Sequence, residues 1–254
     1  MRSRTIAAAL LTSSSALAVE TPDARDSALP CRPTVSCTAD ITAPGTLEAE
    51  LGVQATKSIS TYSRNVPLLF KLTVTKFLQL QLGSNGATFT EPAKNFYVDN
   101  VLFGAKIHFQ DQTKYGPSFA VTALVGVPVS NVNGLEAFVT GHASKDIGPI
   151  HADLNAGIAE SSLDSTPVSQ PFVAFALGAP VVPKLLGVTL ETYYFADAPP
   201  AAPHDGGVRF ALTLAPRPWL VFDAGGDVGF FPSVRSFSAF FGMTLVPAIF
   251  WRTK

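Results

Sequence analysis

From residue 46 onward, apolar and polar residues alternate with a period of two. Ile150, Ala152, Leu154, Ala156 and Ile158 interleave with His151, Asp153, Asn155, Gly157 and Ala159. Leu47, Ala49, Leu51, Val53 and Ala55 interleave with Glu48, Glu50, Gly52, Gln54 and Thr56. Leu78, Leu80 and Leu82 enclose Gln79 and Gln81, and Val208, Phe210, Leu212 and Leu214 enclose Arg209, Ala211 and Thr213. Successive side chains of a strand point to opposite faces, so this period predicts strands. Twelve are predicted, at 46–56, 66–73, 77–84, 98–109, 116–127, 135–143, 150–159, 170–179, 185–195, 206–214, 218–229 and 236–247. Most have the roughly 9–11 residues that a tilted strand needs to cross a bilayer. The longest apolar run after residue 18 spans 172–190, and Pro180, Pro183 and Lys184 interrupt it, so no spanning helix is predicted.

Composition narrows what these strands build. Apolar residues make up 47% and charged residues 15%, where a soluble protein carries about 25% charged. Such a chain is too apolar for disorder. A net charge of −1 gives no electrostatic footprint for nucleic acid. A soluble exported sandwich or lipocalin-like barrel would bury one face of each strand and leave the other unexplained. An all-β, antiparallel, up-and-down transmembrane β-barrel of about twelve strands accounts for both, with every second residue facing lipid. Twelve is even, as bacterial single-chain barrels require.

The ends fit export. Arg2 and Arg4, an apolar stretch from Ile6 to Leu11, and Ser15-Ala16-Leu17-Ala18 predict a signal peptide over 1–18 with cleavage after Ala18. Cys31 and Cys37 then meet an oxidising compartment, which predicts a disulfide that staples this segment locally. The polar, Pro-rich stretch 19–45 is either a periplasmic tail or a plug in the lumen, and 46–254 is the barrel. Connections after odd strands hold 9, 13, 7, 10, 10 and 6 residues; those after even strands hold 3, 6, 6, 5 and 3. Barrels have short periplasmic turns and longer outer loops, which puts the N-terminus in the periplasm. Phe109, Tyr115, Phe119, Tyr193, Tyr194, Phe195, Trp219, Phe230, Phe231 and Trp251 collect near strand ends, as interfacial girdles would.

The polar phase of the strands places Glu48, Glu50, Glu136, Asp153, Glu191, Asp223 and Asp227 in the lumen against Lys71, Lys106 and Arg209, with His151 beside them. An acidic ring favours cations in a narrow pore. The same charges could instead pair and hold the lumen shut. Centring a hairpin on 215–217 places Arg209 opposite Asp223. Centring another on 144–149 places His142 opposite His151 with Asp153 nearby, a candidate for weak metal binding.

Several stretches resemble the outer-membrane transporter family labelled "MetA-pathway of phenol degradation". They are Pro44-Gly45-Thr46-Leu47-Glu48-Ala49-Glu50-Leu51-Gly52, Pro67-Leu68-Leu69-Phe70-Lys71-Leu72-Thr73 with Gln79-Leu80-Gln81-Leu82, and Leu212-Thr213-Leu214-Ala215-Pro216 leading to Asp223-Ala224-Gly225 and Gly229. The resemblance implies a barrel for passage of small solutes, hydrophobic or aromatic compounds among them, and no catalytic residues. Outer-membrane lipid, small-molecule solutes and the barrel-assembly machinery are the expected partners. That machinery reads a terminal aromatic residue, whereas here Arg252-Thr253-Lys254 follow Phe250-Trp251.

Two other functions fit the residues less well. An outer-membrane hydrolase needs a serine beside a base. The chain has four histidines and no G-x-S-x-G elbow, and no lipid-facing serine pairs with a histidine in the predicted phase. A structural or adhesive barrel would need loops that carry a partner surface, and these loops are short and mixed in charge. No cofactor motif is present, and no resident metal is expected.

Overall fold

A computed structural model describes residues 27–32, 34–130, 134–163, 166–197, 204–231 and 235–252. The expected signal peptide lies outside the described residues. The strand segments are β1 (Thr46–Ser58), β2 (Tyr62–Asn65), β3 (Leu68–Thr73), β4 (Leu78–Ser84), β5 (Ala87–Glu91), β6 (Asn95–Val98), β7 (Val101–Gln110) and β8 (Ser118–Val127). They continue as β9 (Glu136–Ile147), β10 (Ile150–Leu163), β11 (Thr166–Val182), β12 (Leu186–Phe195), β13 (Asp205–Arg217), β14 (Leu220–Gly229) and β15 (Ser236–Ile249).

These fifteen segments make twelve strands. β2 and β3 pair with β1 in one continuous register, with Gln54 opposite Asn65 and Glu48 opposite Lys71. The break between them falls at Pro67, which has no N–H to give the ladder. β4 and β5 form the next strand, offset by one residue across Asn85-Gly86, and β6 and β7 form the one after. Every pairing is antiparallel between neighbours in the chain, and β15 pairs back onto β1 from Thr46–Ile249 to Ser58–Ser236. The sheet therefore closes, and closure removes the edges that would expose unpaired backbone to lipid. The result is the expected all-β, antiparallel, up-and-down barrel of twelve strands.

The two faces differ as the alternation requires. Leu80, Phe103, Leu154 and Phe210 point outward and are 45–49% exposed. Glu48, Lys71, Lys106, Asn155 and Glu191 point inward and are at most 1% exposed. An inward charge on a hollow wall would be wet. These are buried because the described residues of 27–45 lie inside the barrel against them.

The strands run longer than predicted, and three details change as a result. The chain keeps pairing past the expected ends, so the connections 59–61 and 92–94 shrink to three residues and the contrast between the two ends weakens. The β9–β10 hairpin turns tightly at Gly148-Pro149, with Gly148 at φ +62°. That moves His142 opposite Asn155 and His151 opposite Asp146, not opposite each other. The β13–β14 hairpin turns at Pro218-Trp219, which places Arg209 opposite Asp227 and Asp223 opposite Thr213. The expected Arg209–Asp223 pair is therefore not formed. Of the girdle aromatics, Phe109, Tyr115, Phe119, Tyr194, Trp219, Phe230 and Trp251 are exposed. Tyr193 points into the lumen and is buried.

Candidate functional site in the barrel lumen

The interior of the barrel is organised around the main chain of residues 27–45. The segment is anchored at the end of the barrel that carries the termini. There Ala28 N–H donates to Pro218 O, and Gly45 N–H donates to Thr73 O. Between these anchors it rises into the lumen and returns. A disulfide between Cys31 and Cys37 closes the top of this excursion, with Cα atoms 4.5 Å apart.

Wall acids accept hydrogen bonds from its backbone. Leu29 N–H donates to Glu48 Oε1 (2.7 Å), and Cys31 and Arg32 N–H donate to the two oxygens of Glu50 (2.9 and 3.1 Å). Further round the wall, Glu191 accepts from Val35 N–H (2.8 Å), Ser36 N–H (2.6 Å) and Ser36 Oγ (2.7 Å). Wall cations donate to its carbonyls. Lys71 Nζ reaches Leu29 O at 2.6 Å, and Lys106 Nζ reaches Thr38 O at 2.7 Å. Neutral wall groups complete the pattern: Asn155 binds both Cys37 N–H and Cys37 O, and Ser144 Oγ accepts from Ala39 N–H at 2.7 Å. A coil without a sheet partner must satisfy its buried polar groups somehow, and here the wall side chains do it.

The wall charges also pair with one another. Lys71 Nζ lies 2.7 Å from Glu50 and 3.3 Å from Glu48. Arg209 lies 3.4 Å from Asp227 and 3.9 Å from Glu191, between the rings of Tyr193 and Phe240, and Tyr193 Oη donates to Asp227 at 3.1 Å. Arg32, carried by the inner segment, faces Asp223 at 4.0 Å. At the terminal end, His151 bonds Asp146 (2.7 Å) and Asp153 (3.1 Å), and Ser144 Oγ also donates to Asp153. Glu136 is half-buried at the far end, opposite Gly126 and Ser161.

Most residues singled out in the sequence thus meet the inner segment or one another. Their counterparts Asn155, Ser144, Thr73 and Tyr193 were missed. They are uncharged, and only their inward parity could have flagged them. The metal candidate does not assemble. His142 is taken by Thr122, Cys37 O and Asn155, and no group of three His, Cys, Asp or Glu among the described residues is placed to hold an ion. His151 meets Asp153 and Asp146, not a serine.

Space remains on both sides of the inner segment. A cavity of about 290 Å³ lies toward the far end, lined by Leu69, Leu102, Leu124, Phe172, Lys106 and Arg32. Another of about 290 Å³ lies toward the terminal end, lined by Thr189, Thr213, Ala176, His151, Asp153 and Arg32. A wider mouth of about 570 Å³ opens below, past His108, Asp111 and Lys76.

Solved structures share this architecture. The NanC porin superposes with a TM-score of 0.58 at 8% identity, covering 78% of this chain and 98% of that one. An outer membrane channel from Pseudomonas putida F1 superposes with a TM-score of 0.58 at 12% identity, covering 82% and 97%. The fold is that of an outer-membrane β-barrel porin. The KdgM porin gives a TM-score of 0.51 at 10% identity over 77% and 98%. No protein-family model matches the chain, and no curated protein does either. At these identities the likeness concerns the porin fold, and the interior must be judged from this chain's own residues.

Proposed function

We propose that this porin-like chain is an outer-membrane channel for passive passage of small solutes, exported by residues 1–18, with its resting lumen occluded by residues 27–45. The observation that carries this reading is the chemistry of the plug contacts. The wall holds the segment through polar bonds to its main chain, and the apolar side chains buried among its described residues are three small ones, Ala28, Ala39 and Pro44. Each such hydrogen bond contributes about 0.5–1.5 kcal/mol net, or about 1.5–3 kcal/mol where the wall group is charged, because water can take its place. A segment held this way can leave and be replaced by solvent, whereas an apolar core could not. Twelve strands also suit the role, lying between side-chain-filled barrels of eight and open pores of sixteen.

The KdgM porin has been solved in complex with disordered oligogalacturonate. Uronate chains are anionic. The wall here places Glu48, Glu50, Glu191, Asp223 and Asp227 against Lys71, Lys106 and Arg209, which suits neutral or cationic solutes better. The apolar patch Leu69, Leu102, Leu124 and Phe172 gives a hydrophobic or aromatic body a place to rest, in keeping with the family resemblance. No enzymatic role and no cofactor are assigned, and insertion is assigned to the barrel-assembly machinery. The reading is tested by expressing the full chain, fractionating the membranes and running heated and unheated gels. The expected result is a heat-shifted band in the outer-membrane fraction and slow swelling of liposomes with small solutes. A soluble, unshifted protein would overturn it.

A further inference from the structure

The side chain of Arg32 rests in a slot built by two absent side chains. Gly52 and Gly242 lie opposite each other across the seam where β1 meets β15. A Cβ on Gly52 would collide with the Arg32 guanidinium, and one on Gly242 would come within 2.9 Å of both Arg32 Nε and Asp223 Oδ2. Asp223, next to Gly242 on β14, closes the slot. Its carboxylate is 2% exposed, and neither oxygen accepts a hydrogen bond from a protein group. Arg32 Nε is likewise buried without a hydrogen bond.

This arrangement is unusual because the parts match and yet do not meet. A planar guanidinium and a carboxylate form two parallel hydrogen bonds near 2.8 Å when free to do so. Here the nearest approach is 4.0 Å. Arg32 is tethered, since its own N–H is fixed to Glu50 and the neighbouring Cys31 is fixed by the disulfide. The backbone is fixed there, and the guanidinium rests in the slot 4.0 Å from Asp223.

We infer that the Gly52–Gly242–Asp223 slot is a binding site for guanidinium-bearing solutes, and that Arg32 occupies it as an internal stand-in. This deepens the channel reading and rests on it for the solute's route. An untethered guanidinium can close the gap that Arg32 leaves and bond Asp223 directly, so such a solute competes with the plug for the slot. The flat slot admits a planar group, and the absent Cβ atoms set its width. A compact ammonium lacks the paired donors, and a neutral isostere lacks the charge.

Binding and conduction are measured separately, so that the site and the channel can fail independently. The first readout is equilibrium binding of methylguanidinium to the detergent-solubilised Arg32→Ala protein, after a heat-shift gel has confirmed the barrel. Saturable binding is expected, at least about tenfold tighter than for N-methylurea, as loss of a desolvated charge pair implies, and tighter than for methylammonium, which lacks the paired donors. It should disappear in Arg32→Ala/Asp223→Asn, and also in Arg32→Ala/Gly52→Val, which fills the slot where only the Arg32 side chain lay and keeps the carboxylate. Equal binding of N-methylurea, or binding that survives both second substitutions, would overturn the assignment. The second readout is planar-bilayer current of the full chain, where methylguanidinium should raise the frequency of openings. Binding without any current would leave the site standing and remove the channel.

Discussion

Replacing Lys71 with methionine should lower the stability of the folded barrel by about 3–5 kcal/mol, the usual cost of removing one partner from a buried charge pair. Lys71 is 1% exposed, and its ammonium serves Glu48, Glu50 and Leu29 O at once. Methionine keeps the volume of the stem and removes the charge. Two carboxylates, 0% and 2% exposed, then face each other across one residue spacing with only plug N–H groups as partners. The measurement is urea unfolding in lipid vesicles, read as a lower midpoint at unchanged slope. Converting Glu48 and Glu50 to glutamine in the same chain should restore most of the loss, because the excess buried charge is then gone. A midpoint unchanged by Lys71→Met would show that these carboxylates are not desolvated as described.

Deleting residues 27–43 should raise single-channel conductance severalfold and make the pore cation-selective. The deletion removes the disulfide-closed excursion and Arg32, and leaves the strands with their pairings intact. Water then reaches Glu48, Glu50, Glu191 and Asp223, which are now masked by plug N–H groups or by Arg32. A ring of carboxylates in a narrow pore attracts cations and repels anions. The check is planar-bilayer current, with the reversal potential taken in a potassium chloride gradient. A deleted chain that conducts like the full one would mean that this segment does not occlude the lumen, and would favour a structural barrel.

The strands were legible because lipid on one side and polar groups on the other impose a strict period of two. Leu80 next to Gln79 and Gln81, or Leu154 between Asp153 and Asn155, can be read without any tertiary knowledge. The lumen charges followed from the same parity. Register was not legible to the same degree. Placing a hairpin centre two residues away pairs Arg209 with Asp223 when Asp227 is its partner, and pairs His142 with His151 when Asn155 is opposite. Nor could the alternation say that Glu191 and Asn155 hold main-chain groups of the inner segment. Those bonds join residues more than 100 positions apart and leave no trace in local pattern. The slot at Gly52 and Gly242 was hidden for a related reason, since its shape comes from two glycines that meet only when the barrel closes.

The placement of the inner segment is tested most directly by cross-linking it to the wall. Thr38 Oγ1 and Ser144 Oγ lie 3.3 Å apart, close enough for a disulfide between cysteines at both positions. Thr38→Cys and Ser144→Cys would be combined with Cys31→Ser and Cys37→Ser and expressed in cells. Outer membranes would be oxidised and digested, and linked peptides sought by mass spectrometry. A plug within the lumen gives a linked peptide pair joining positions 38 and 144, from protein that still shows a heat-shifted band. A heat-shifted barrel with no such pair, in which the thiol introduced by Thr38→Cys reacts freely with an added maleimide, would place the segment outside the lumen and contradict the occluded channel.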